Sequence, residues 1–196
     1  MSDYIEENNR ITAKNLVECD TSDVIPRLTE VFEMARPYML SEMKFVDVGC
    51  RDGYLIDILK QNGFDDVEGV EMCQEAVDVS TSRGFTVYNI NAEEMPIFDN
   101  ESVDFFFAIH TLEHLINPKK CVDEMYRILK PNGMILIEVP VEKPEVVNPP
   151  EKFGHYHPFT APSQMENLFR NFGMVEQLNQ TTKSNKPWYR WIWRKI

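Results

Sequence analysis

Short apolar runs alternate with longer amphipathic segments along most of the chain. The apolar runs predict β-strands at 44–48, 66–71, 85–90, 103–109 and 134–139. Apolar residues at helical spacing predict helices at 53–62, 74–83 and 118–130. Further helices are predicted at 4–18, 22–40 and 161–172, and two last strands at 174–181 and 187–195. This alternation predicts an α/β fold with a doubly wound, seven-stranded sheet, mostly parallel with an antiparallel last strand, and helices on both faces.

A proline-rich segment separates the last predicted parallel strand from the end of the chain. Six of the twelve prolines lie between 140 and 162. Loops of this length in compact domains are commonly lids or binding segments, so we expect 140–162 to cover a site. Neither internal repeats nor a second domain are indicated.

Composition and charge narrow the possible partners. The chain has 196 residues, 43% of them hydrophobic, and a net charge of −12, which suits one globular domain and disfavours a nucleic-acid substrate. Residues 183–196 hold five cations, no acid and three tryptophans. Such a segment could bind a membrane interface or bases, but Trp191 and Trp193 alternate with Arg190, Ile192 and Arg194. We therefore predict a last strand with one packed face.

Cellular location and redox state are predicted from simple counts. No apolar run approaches the roughly 18 residues that a membrane span needs. The acidic N-terminus lacks the basic-then-apolar order of a secretion signal. The four cysteines have no paired spacing, which is typical of free thiols. We expect a cytoplasmic protein, and the sequence does not indicate its oligomeric state.

The segment from Lys44 to Tyr54 carries the most specific chemistry. It predicts a buried strand, a turn with Gly49 and Gly53, and the start of a helix. A glycine turn lets the backbone approach a ligand, and a helix start offers free N–H groups. About 20 residues further on, a second strand ends at Glu71, the distance expected for an acid that binds a ribose. We infer a site for an adenosine-containing ligand.

These motifs resemble those of class I S-adenosylmethionine-dependent methyltransferases of the small-molecule type (methyltransferase type 11/23-like). Asp47, Gly49 and Gly53 fit the family's D-x-G-x-G-x-G turn, although Arg51 replaces its middle glycine. Asn91-Ala92-Glu93 resembles the family's D-A-E segment, and His110–Leu115 and Leu129–Met134 are similar to later family segments. The resemblance covers essentially the whole chain and implies a Rossmann-like fold: 1–40 as an N-terminal helical cap, 41–139 as the cofactor-binding core, 140–162 as a lid loop, and 163–196 as the C-terminal helix and closing strands.

The resemblance also implies roles for particular residues. Glu71 would hold the ribose, Asn91 and Ala92 would face the adenine, and His110 and Thr111 would lie beside the methionine part of S-adenosylmethionine. The cofactor residues expected are Asp47, Gly49, Cys50, Arg51, Gly53, Glu71, Met72, Asn91, Ala92, Glu93, His110 and Thr111. If Arg51 takes a positive φ in this turn, it carries strain and its side chain must point away from the ligand. Cys50 could be a reactive thiol, but we favour a small residue that fits a tight turn.

Methyl transfer then needs little beyond positioning of the acceptor, because the sulfonium of S-adenosylmethionine is already activated. A hydroxyl or amine acceptor would also need a base, and histidine titrates in the useful range. The candidates are His114, His155 and His157, with Glu113 behind them. The function predicted is methyl transfer to an oxygen or nitrogen of a small molecule or glycan precursor, with S-adenosylhomocysteine as product.

Two alternatives remain open at this stage. The chain could bind the cofactor without catalysis if Arg51 has altered the turn. Separately, His110-Thr111-Leu112-Glu113-His114 fits the H-x-x-E-H motif of inverzincin zinc metallopeptidases. That motif needs both histidines on one helix face, whereas His110 directly follows a predicted strand and Pro118 follows soon after. His155 and His157 have metal-like spacing, but we interpret them as surface residues and predict no metal site.

Overall fold

The computed structural model of the chain describes residues 6, 9–10, 12–14, 24–141, 155–181 and 187–196. The described residues before 24 are helical and fall within the helix predicted at 4–18. Most of the loop predicted at 140–162 lies outside the described residues. Within the described part of the chain, no helix has both the length and the hydrophobicity needed to cross a bilayer.

Seven strands form one sheet. They are β1 (Phe45–Val48), β2 (Val67–Glu71), β3 (Thr86–Asn89), β4 (Val103–Ile109), β5 (Leu129–Pro140), β6 (Phe172–Thr181) and β7 (Pro187–Lys195). Their spatial order is β3-β2-β1-β4-β5-β7-β6. Neighbouring strands from β3 to β5 pair in parallel, and β7 pairs antiparallel to both β5 and β6. The predicted doubly wound sheet with an antiparallel last strand is confirmed.

Helices cover the two faces of the sheet. They are α1 (Val24–Ala35), α2 (Tyr54–Gln61), α3 (Gln74–Ser82), α4 (Pro118–Ile128) and α5 (Pro162–Leu168), with 3-10 turns at Arg36–Tyr38 and Leu112–His114. One apolar core packs α1, α2 and α3 against the sheet, and a second packs α4 and α5 against the opposite face. Pro118 begins α4, and the side chain of Asn117 caps it by accepting a hydrogen bond from the Lys120 N–H.

β5 begins five residues before the strand start predicted at 134. Leu129 pairs with Val103, and pairing resumes only at Met134, opposite Phe105. The residues between them interrupt the regular register, and Asn132 there has φ 65°.

The prediction of one packed face for the last strand was wrong. Trp191 and Trp193 lie in one core, as expected, but Ile192 is fully buried in the other and Arg190 is 2% exposed. The reason is the position of β7 between β5 and β6, inside the sheet, where helical layers reach both of its faces. Strand order is a long-range property that alternation along the chain does not reveal.

Trp191 provides a test of this packing, because its side chain is fully buried in the core of the sheet. We expect Trp191→Ala to lower the free energy of unfolding by about 3–5 kcal/mol, measured by urea denaturation. Met174→Ala is the control on the neighbouring strand, since Met174 is 52% exposed, and it should change stability by less than about 0.5 kcal/mol. Equal effects of the two substitutions would contradict the assigned strand order.

Candidate functional site

A cavity of about 340 Å³ opens at the carboxyl edge of the sheet. The ends of β1, β2 and β4 and the residues after β3 form its floor, and α1 borders one side. From β1 the chain adds β2 and β3 on one side, and from β4 it adds β5 on the other, so the strand order reverses between β1 and β4. In an open α/β sheet, a ligand-binding crevice is expected at the carboxyl edge where this reversal occurs. Ten of the twelve predicted cofactor residues line it: Asp47, Gly49, Cys50, Arg51, Glu71, Met72, Asn91, Ala92, His110 and Thr111.

The turn after β1 needs glycine at two positions. Gly49 has φ 75°, and a Cβ atom there would lie 2.5 Å from Thr111 Oγ1. Gly53 has φ 79°, and its Cβ would lie 2.6 Å from the ring of Phe85. Gly53 does not line the cavity, and its left-handed conformation allows the chain to turn into α2. Arg51 has φ 51°, so it does take the left-handed conformation that was considered for it.

Glu71 is held in place by the same turn. Its Oε2 accepts a hydrogen bond from the Arg51 N–H at 3.0 Å, and its Oε1 accepts one from the Cys73 N–H at 2.8 Å. Burial raises the pKa of Glu71, and these backbone donors offset part of the rise. Glu71 lines the cavity, and a carboxylate oxygen can accept more than one hydrogen bond, so the carboxylate can also accept hydroxyl groups of a ligand.

Asp47 has a different charge state from Glu71. Burial, and next the negative charge of Glu71, raise the pKa of Asp47 to about 8. Asp47 is therefore largely protonated at neutral pH and can donate a hydrogen bond from its carboxyl group. The two acids at this edge thus divide into one donor and one acceptor.

The structure supports the small-residue interpretation of Cys50. Burial, and then the charges of Asp47 and Glu71, raise the pKa of the Cys50 thiol well above its ordinary value. A protonated thiol is a poor nucleophile. A Cβ atom at Gly69 would lie only 2.5 Å from the Cys50 Sγ, so Cys50 packs closely against β2.

The adenine end is less complete than the sequence suggested. Asn91 and Ala92 line the cavity, and Asn91 Oδ1 accepts a hydrogen bond from the Glu93 N–H at 2.9 Å. Glu93 is outside the lining, and its carboxylate accepts a hydrogen bond from the Asn117 N–H at 2.8 Å. Glu93 thereby ties this segment to the start of α4 and supports the site from outside.

His110 lies between two buried carboxylates. Its Nε2 is 3.0 Å from Glu138 Oε1 and its Nδ1 is 3.1 Å from Glu113 Oε1, and its ring meets Trp188 edge-on at 4.3 Å between centroids. Burial alone would lower the pKa of His110, but the contacts with Glu113 and Glu138 outweigh burial and raise it. Arg190 pairs with Glu138 on the far side. His110 is therefore positioned by contacts with both carboxylates.

The predicted base candidates differ in position. His114 lines the cavity, and its ring lies 4.7 Å from that of His155, in an edge-to-face arrangement. The N–H groups of Tyr156 and His157 donate hydrogen bonds to the Glu113 carbonyl at 2.8 and 3.1 Å. His157 Nε2 lies 2.6 Å from the Ile116 carbonyl oxygen. His155 is therefore adjacent to His114, whereas His157 anchors the segment that carries it.

The metallopeptidase alternative is wrong. His110 directly follows β4 and has φ 54°, and Leu112–His114 then form a single 3-10 turn. His110 and His114 therefore do not share the helix face that the H-x-x-E-H motif requires. The strand context of His110 prevents that arrangement.

Sequence reasoning missed several cavity residues, most importantly Arg27. Its Nε lies 3.5 Å from Glu138 Oε1, and its guanidinium lies over Trp188 at 5.2 Å from the ring centroid. A signal was present, because Arg27 is beside Leu28 on the apolar face of α1. The other missed lining residues with polar side chains are Asn9, Thr12, Asp52 and Tyr54.

Comparisons with known proteins agree with this geometry. Residues 46–137 match the family model described as a methyltransferase domain, Methyltransf_11. The ubiquinone biosynthesis O-methyltransferase of Saccharophagus degradans is 28% identical over 156 residues, 70% of this chain and 66% of that protein. A possible histamine N-methyltransferase of Thermotoga maritima has a TM-score of 0.74 at 19% identity, covering 95% of this chain and 99% of that one. The [4+2]-cyclase SpnF has a TM-score of 0.75 at 14% identity, covering 87% of this chain and 80% of that one.

The sheet order, the glycine turn and the acid that ends β2 define the class I nucleotide-binding arrangement. With the match of residues 46–137, they show that this part of the chain is a methyltransferase-type domain of the type 11 family. The chain spans from 34% to 66% of the length of the first curated relatives that it matches.

The raised pKa of Asp47 predicts how stability depends on pH. Between about pH 4 and about pH 8 the folded chain binds one more proton at Asp47 than the unfolded chain does. The free energy of unfolding should therefore fall as pH rises, by up to about 1.4 kcal/mol per pH unit from this group. We expect Asp47→Asn to reduce the slope measured by urea denaturation between pH 5 and 6. Asp66→Asn, at an exposed position, should leave it unchanged.

Proposed function

We propose that this chain transfers the sulfonium methyl group of S-adenosylmethionine to an oxygen or nitrogen of a small-molecule acceptor, releasing S-adenosylhomocysteine. One observation carries the proposal: a single cavity joins the glycine turn, Glu71 and His114. The proposed cofactor site and a basic side chain thus share one cavity. The O-methyltransferase named among the relatives agrees with a hydroxyl acceptor.

The cofactor would lie along the carboxyl edge of the sheet. Glu71 would accept the two ribose hydroxyls, since its carboxylate is already fixed by two backbone N–H groups. Asn91 and Ala92 would contact the adenine, and Met72 would pack beside it. The turn at Gly49 would admit the methionine part next to Thr111. Gly53 and Glu93 would shape the site without touching the ligand.

The amino acid end of the cofactor carries a carboxylate that needs a cation. Arg27 and Arg51 are the two arginines of the cavity lining among the described residues. We assign the carboxylate to Arg27, because α1 brings it to the end of the cavity near His110 and Trp188. The charge of Glu138 holds the guanidinium at that end.

His114 would accept the proton of the acceptor. It borders the cavity, and His155 packs against its ring while the Glu113 carboxylate lies close to both. A base so placed can take a proton as the methyl group arrives from the opposite side. His157 would act indirectly, by holding the segment of His155 against Ile116.

The acceptor is proposed to be a small molecule, including a glycan precursor. The net charge of −12 disfavours a phosphate-rich polymer, and a cavity of about 340 Å³ suits a small ligand. A cytoplasmic location stays a prediction from the sequence.

A second candidate is cofactor binding without methyl transfer. Arg51 stands where the family turn has glycine, and SpnF, a structure with this fold, is named for a cyclisation. The two candidates differ in product, because only methyl transfer releases S-adenosylhomocysteine. A screen of phenol, carboxylate and amine acceptors for that product separates them.

Replacing Glu71 tests the ribose site. We expect Glu71→Ala to weaken binding of S-adenosylhomocysteine by roughly 10–100-fold in calorimetric titration, because hydrogen bonds to a charged group are lost. Glu68→Ala is a matched control on the same strand, where Glu68 pairs with Lys44 at 3.0 Å outside the cavity. Equal affinity of wild type and Glu71→Ala would remove the basis of the cofactor placement.

Replacing His114 tests the base. With an acceptor found by the screen, we expect His114→Gln to lower the rate of methyl transfer by about 10²–10⁴-fold with little change in cofactor affinity. The acid limb of the pH–rate profile should also disappear. If the rate falls but the limb persists, His114 positions the acceptor and another group takes the proton.

A further inference from the structure

Three side chains beside the cavity have the composition of a transition-metal site. Glu113, His114 and His155 each present one potential ligand atom, and these three atoms lie within 4.8 Å of one another. In a tetrahedral zinc site, neighbouring ligand atoms are about 3.3 Å apart, as follows from metal–ligand distances near 2.0–2.1 Å. Small side-chain rotations would bring the three ligand atoms to the separation that zinc requires.

The Glu113 carboxylate is an unusual partner for two imidazoles. It is fully buried, and neither of its oxygens receives a hydrogen bond of good geometry from the described residues. His110 Nδ1 approaches Oε1 at 3.1 Å as an ionic contact. A buried carboxylate normally has several donors, so Glu113 has capacity left for a cation on the side of His114 and His155.

The backbone holds the two segments of this cluster together. Tyr156 and His157 donate their N–H groups to the Glu113 carbonyl, so His155 is fixed beside the 3-10 turn that carries Glu113 and His114. The His157 ring is anchored separately on the Ile116 carbonyl. The ligand atoms are therefore brought together by main-chain contacts that exist without a metal, and this reduces the entropic cost of binding one.

We propose that Glu113, His114 and His155 form a binding site for a divalent transition-metal ion of the Zn²⁺ type. Two imidazole nitrogens and one carboxylate oxygen suit Zn²⁺ or Co²⁺, whereas Mg²⁺ and Ca²⁺ prefer oxygen ligands alone. His110 would orient the carboxylate from outside, as residues behind metal ligands commonly do. Three protein ligands leave a fourth position, on the side where His114 borders the cavity.

The bound ion would regulate methyl transfer. Coordination uses the imidazole lone pair of His114, and the same lone pair is needed to accept the acceptor proton. Metal occupancy and base action therefore exclude each other, so Zn²⁺ would inhibit the reaction. This consequence rests on the proposed function, whereas binding of the metal does not.

The test uses the full chain and Co²⁺ as a spectroscopic probe, with Zn²⁺ in competition. One equivalent of Co²⁺ should produce the intense visible bands of four-coordinate cobalt, and Zn²⁺ but not Mg²⁺ should abolish them. His155→Ala and Glu113→Gln should weaken Zn²⁺ binding by at least the roughly 10–100-fold that loss of an outer-shell partner costs. Glu94→Gln is the matched control for Glu113→Gln, since Glu94 is outside the cluster and its exposed carboxylate pairs with Lys120 at 3.8 Å, and it should retain the site.

The outcomes separate the metal site from the proposed function. Titration of each variant with S-adenosylhomocysteine shows that it is folded and reports on the cofactor site independently. Absence of stoichiometric Co²⁺ binding, or equal Zn²⁺ affinity in wild type and both ligand variants, would overturn the metal site. Zn²⁺ binding without loss of methyl transfer would overturn the regulatory consequence.

Discussion

The arrangement of side chains around the cavity depends on the buried carboxylate of Glu138. It is fully buried in β5 and contacts His110 from β4, Arg190 from β7 and Arg27 from α1. Burial would raise the pKa of Glu138, but these partners outweigh burial and lower it. A buried charge is tolerated only with such compensation, so three elements must meet at one point. The cavity residues His110 and Arg27 are positioned as a result.

A second constraint is the close approach of backbone at the turn after β1. Glycine at position 49 leaves room for Thr111, whose Oγ1 donates a hydrogen bond to the Val48 carbonyl at 2.7 Å. Arg51 accepts a left-handed conformation, and its N–H then points at Glu71. Backbone conformation here therefore orients a ligand-binding acid about twenty residues further along the chain. Strain at one residue is balanced by a charge-assisted hydrogen bond.

Much of the fold and of the cofactor site was predictable because their signals are local. Strand, glycine turn, helix and acid follow each other within a short stretch, and ten predicted residues line one cavity. Other features were not predictable in this way. Glu93 lies outside the cavity lining and accepts a hydrogen bond from the Asn117 N–H at the start of α4, and Arg27 was missed although it lies on the apolar face of its helix. Both depend on which elements become neighbours.

The sequence by itself determined the class of fold, the glycine turn and the acid at the end of β2, because hydrophobic period and residue spacing act over a few residues. Only the tertiary structure decided the place of β7 inside the sheet, the charge network of His110, and the grouping of Glu113 with His114 and His155. Those features join segments 25 or more residues apart in the chain, and their energies arise from burial and charge compensation that exist only after the chain has folded.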